Sequence, residues 1–95
     1  TVPTQALYLL NSEFMIGQAR AIVARPDLQE GKVDDRIASL YSLILNRAAN
    51  AAELKRARNF VDDLQGDTKT AKAIDAALGE LAHVLLASTE FLFVD

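Results

Sequence analysis

Apolar residues recur every three or four positions along most of this chain, and that spacing confines it to helices. Ile37, Leu40, Tyr41 and Ile44 form one such series, with Leu43 and Leu45 flanking it. Ile74, Ala77, Leu78, Leu81, Val84 and Leu85 form another. Residues spaced in this way share one side of an α-helix, so each series is a stripe that a neighbouring element must cover. The alternation of a strand is present only weakly, in the apolar tail at 88–95.

Punctuation between the stripes sets the element bounds. Pro3-Thr4 opens a short first segment carrying Ala6, Leu7, Leu9 and Leu10, which Asn11-Ser12 interrupts. Ser12 suits an N-cap, because its hydroxyl can accept from a backbone N–H one turn on. The second helix then runs from Glu13 to about Ala24, with Met15, Ile16, Ala19, Ile22 and Val23 as its stripe. Pro26 stops it, since the residue before a proline avoids helical geometry. The polar stretch from Pro26 to Lys32 contains Gly31 and reads as a mobile loop.

Asp34 or Asp35 is placed to cap the third helix, and Asn46 to close it in the left-handed conformation that Asn tolerates. Asn50-Ala51-Ala52-Glu53 has the spacing of a capping box and starts a fourth helix, with Leu54, Ala57, Val61 and Leu64 inward and Phe60 beside them. Gly66 is a stop signal, Asp67 or Thr68 starts the fifth helix, and that helix ends near Ala87. The tail beyond it is expected to fold back over the bundle or to be covered by a partner. These elements define an all-α fold, a compact bundle of four to five short helices in a single domain over residues 1–95.

Composition closes off several functions. Ten Lys and Arg stand against thirteen Asp and Glu, giving a formal charge of −3, and the longest basic cluster is Lys55-Arg56-Ala57-Arg58. A nucleic-acid binder needs a concentrated basic field to displace counterions from phosphates, so a helix-turn-helix role is disfavoured. Without cysteine there is no disulfide, thiolate zinc site or cysteine nucleophile. No apolar run approaches the roughly 20 residues of a membrane-spanning helix.

Residues that could carry chemistry do not converge. His83, the single histidine, lacks a nucleophile or ligand at a recognised spacing and reads as a structural or surface residue, offset three positions from Glu80. Asp34-Asp35 reads as a helix start, and Asp62-Asp63 as solvated acids near a helix end. The four glycines are isolated, so no phosphate-cradling loop is present. Tyr8, Tyr41 and the phenylalanines read as core. No catalytic, cofactor-binding or metal-binding residue is assigned.

Three stretches carry a family resemblance. They are Thr4-Gln5-Ala6-Leu7 through Leu9-Leu10-Asn11 and Phe14 to Gln18-Ala19-Arg20; Arg36-Ile37, Leu40-Tyr41, Leu45, Arg47 and Glu53-Leu54; and Leu85-Leu86-Ala87-Ser88-Thr89-Glu90-Phe91-Leu92-Phe93-Val94-Asp95. In this order they resemble the C-terminal end of the planctomycete-specific domain of unknown function 1553, found in large proteins with cytochrome-c-like regions. Asn46, Ala49 and Ala87 depart from a common glycine, proline and asparagine of that pattern.

The resemblance implies the terminal part of a longer periplasmic or secreted protein, with any haem held elsewhere. The leading expectation is a non-catalytic helical packing or interaction module. Its partners would be upstream domains of the same parent, or a second copy through an apolar surface, with no nucleic acid and no membrane. One alternative has Arg47, Glu53 and Glu90 contributing to an active site shared with the parent, in a polysaccharide-related enzyme. The other is the disfavoured helix-turn-helix binder.

Overall fold

In the computed structural model the apolar stripes of the helices meet in one shared core. The structure describes the backbone of residues 12–93 and side chains as far as residue 88. Four α-helices occur among the described residues: α1 (Glu13–Val23), α2 (Val33–Leu45), α3 (Ala51–Gln65) and α4 (Ala71–Phe93), with a short 3-10 turn at Pro26–Leu28. α4 is the central element, and α1, α2 and α3 all pack on it. The all-α bundle expected from the spacing is therefore the fold. The expected segment over Ala6, Leu7, Leu9 and Leu10 lies outside the described residues.

The core joins stripes from all four helices. Ile37, Leu40, Leu78 and Val61 are its largest fully buried side chains, surrounded by Ala19, Val23, Leu28, Ala57, Leu81, Ala82 and Leu85. Removing each of the four large groups from water is worth roughly 1.5–3 kcal/mol. The alanines let α4 approach its neighbours closely, because a methyl group fills little of the space between helix axes.

Most helix ends follow the local chemistry. Ser12 Oγ accepts from the Met15 N–H at 3.1 Å and caps α1. Asn46 closes α2 at φ 56°, ψ 37°, in the left-handed region. Asn50 and Glu53 form the reciprocal capping box of α3, with bonds of 2.8 and 3.0 Å. Gly66 ends α3 at φ 60°, a conformation a side chain would strain.

Several sequence expectations are corrected. Phe14, expected in the core, and Val84, expected on the inward stripe of α4, are both exposed, at 74% and 47%. α2 starts at Val33 with Lys32 at the N-cap and no side-chain cap, so neither Asp34 nor Asp35 caps it. Val33 packs against the core and draws the helix start back, while Asp34 turns to Arg58 instead. In α3, burial follows the line Ala57, Val61 and Gln65, and Leu64 is 52% exposed. Leu64 and Gln65 point about 100° apart on the helix, so the face that buries one turns the other outward.

α4 starts at Ala71 rather than beside Asp67 or Thr68, because Thr70 Oγ1 accepts from the Ala73 N–H at 3.1 Å. It also continues past Ala87 to Phe93, a stretch that contains neither proline nor glycine. The tail as far as Phe93 is thus the last turns of α4, and neither a strand nor a segment folded back. Finally, the connector after Pro26 is anchored. Leu28 is 2% exposed, its carbonyl accepts from Arg36, and Gln29 Nε2 donates to the Val23 carbonyl.

Candidate functional site

Three polar constellations stand out, and each begins with a helix end or a helix-helix contact. The first is the corner between α2 and α3. The left-handed Asn46 turns the chain so that Arg47 faces the first turn of α3. Its guanidinium donates to both oxygens of Glu53 at 2.7 Å, a planar fork meeting a planar carboxylate. Glu53 also accepts from the Asn50 N–H. The Arg47 bond, and then the Asn50 N–H, hold the Glu53 carboxyl down at about 2. Tyr41 is buried nearby, and burial pushes its hydroxyl above the usual value.

This corner tests two of the three residues proposed for a shared active site. Arg47 and Glu53 are brought together, and their polar atoms bond to each other and to the turn they close. Glu90 lies on the last turns of α4, beyond the described side chains.

The second constellation centres on Arg36, to which sequence reading gave no role beyond its place in the resembling segment. Its side chain is 8% exposed and donates to Asp75 Oδ1 on α4 at 2.6 Å and to the Leu28 carbonyl. Val23, Leu28, Arg36, Leu40 and Leu78 meet around a crevice with no room for water. One signal was available: Arg36 stands one turn before Leu40 and beside Ile37, on the stripe itself.

The third is a groove of about 280 Å³ between α1 and α4. Ile16, Ala19, Val23, Ala76 and Gly79 contribute small or apolar surface, and Arg20, Gln29, Asp75, Glu80 and His83 contribute polar groups. His83 is half-buried, and its Nε2 is fully buried with no hydrogen-bond partner among the described residues. The paired acids sit elsewhere. Arg58 joins Asp34 to Asp62, at 2.7 and 3.2 Å, while Asp63 is exposed. Among the described residues no cluster of His, Asp or Glu is arranged to hold a metal ion, and no helix is long and apolar enough to cross a membrane.

Fold and site together define a small helical bundle whose internal charges tie its elements to one another. The chain belongs to the family PSD1, described as a protein of unknown function (DUF1553), whose family model matches residues 1–61. Two of the three resembling stretches fall inside that match, and the third, from Leu85 to Asp95, lies beyond it. No curated protein and no solved structure matches the chain.

Proposed function

We propose that this chain is a non-catalytic helical module that packs against other parts of a larger extracytoplasmic protein. The observation that carries this reading is how three charged groups of the second family-like segment, Arg36, Arg47 and Glu53, are engaged. Arg47 and Glu53 close the α2–α3 corner, and Arg36 ties α2 to α4 and to the 3-10 turn. These bonds account for the three residues as ties between turns and helices. The exposed apolar side chains Phe14, Leu43, Leu64 and Val84 offer surface for neighbouring domains. The extracytoplasmic setting rests on the family resemblance.

The test is made in the full-length parent with Arg47→Ala and Glu53→Ala. A lowered melting temperature, with any loss of activity in proportion to it, supports a structural role. Lost activity at unchanged melting temperature refutes it in favour of a shared active site.

A further inference from the structure

We draw no further inference here: the strongest candidate, the groove between α1 and α4, sets exposed Arg20 and exposed Glu80 beside small residues, and nothing in the structure shows what covers it.

Discussion

Arg36 on α2 donates to Asp75 Oδ1 on α4 at 2.6 Å, and from the same guanidinium to the carbonyl of Leu28. One side chain therefore joins the central helix, its neighbour and the connector between α1 and α2. Arg36 is 8% exposed and Asp75 37% exposed, so the arginine has far more to lose when the pair is broken. Removing one partner of a well-buried pair costs about 3–5 kcal/mol. Asp75→Asn should fall below that, at about 2 kcal/mol, because water reaches the carboxylate. The double variant Arg36→Met/Asp75→Leu should lose less than the sum of its single changes, as coupled neighbours do. Urea unfolding of the four proteins measures that difference.

Arg47 and Glu53 make the α2–α3 corner sensitive to acid. The Glu53 carboxyl is held at about 2 from an ordinary 4.5, by Arg47 first and by the Asn50 N–H second. Its charged form is thus bound more tightly in the folded chain than in the unfolded one. The stability it contributes is complete above pH 4.5 and is lost as pH falls toward about 2. Glu53→Gln should remove that part of the pH dependence while lowering stability at neutral pH. Thermal melts of both proteins across this acid range are the check, and parallel curves would refute the assignment.

How much of this was legible beforehand depended on how local each cause is. Ser12, Asn46, Asn50 and Gly66 act on backbone groups within a turn of themselves, and their roles followed from the residue types and spacing. Leu64 and Gln65 did not, because the direction in which α3 crosses its neighbours decides which of two adjacent residues is buried. The anchoring of Leu28 was hidden for a similar reason, since it depends on Arg36 arriving from α2. The groove needs α1 and α4 side by side, so its walls are invisible in a linear reading. His83 was read as structural or surface, and only the packing distinguishes its buried Nε2 from the rest of the ring.

His83 carries a removable cost. Its Nε2 is buried without a hydrogen-bond partner among the described residues, a situation that costs roughly 1–3 kcal/mol. Leucine is close to imidazole in bulk and leaves no polar atom unsatisfied. His83→Leu should therefore raise the unfolding midpoint, by about 1 kcal/mol in free energy. His83→Gln keeps a polar group at the same place and should give no gain. Denaturant melts of the three proteins at one pH separate these outcomes, and a clear loss for His83→Leu would show that the ring makes a contact worth more than its orphan nitrogen costs.

Asn46 ends α2 with φ 56° and ψ 37°, where a Cβ is crowded by the following carbonyl. Asn tolerates that region better than other residues with side chains, and Gly tolerates it without penalty. Asn46→Gly should be neutral or slightly stabilising, even though glycine also frees the unfolded chain. Asn46→Ala should cost about 1 kcal/mol, the penalty for forcing an ordinary residue into the left-handed region. The change should also loosen Arg47 from Glu53, because this turn aims the guanidinium at the carboxylate. The acid limb of the stability curve assigned to Glu53 should therefore become shallower in Asn46→Ala and keep its wild-type slope in Asn46→Gly. Urea midpoints at neutral and acid pH for both variants test the two effects together.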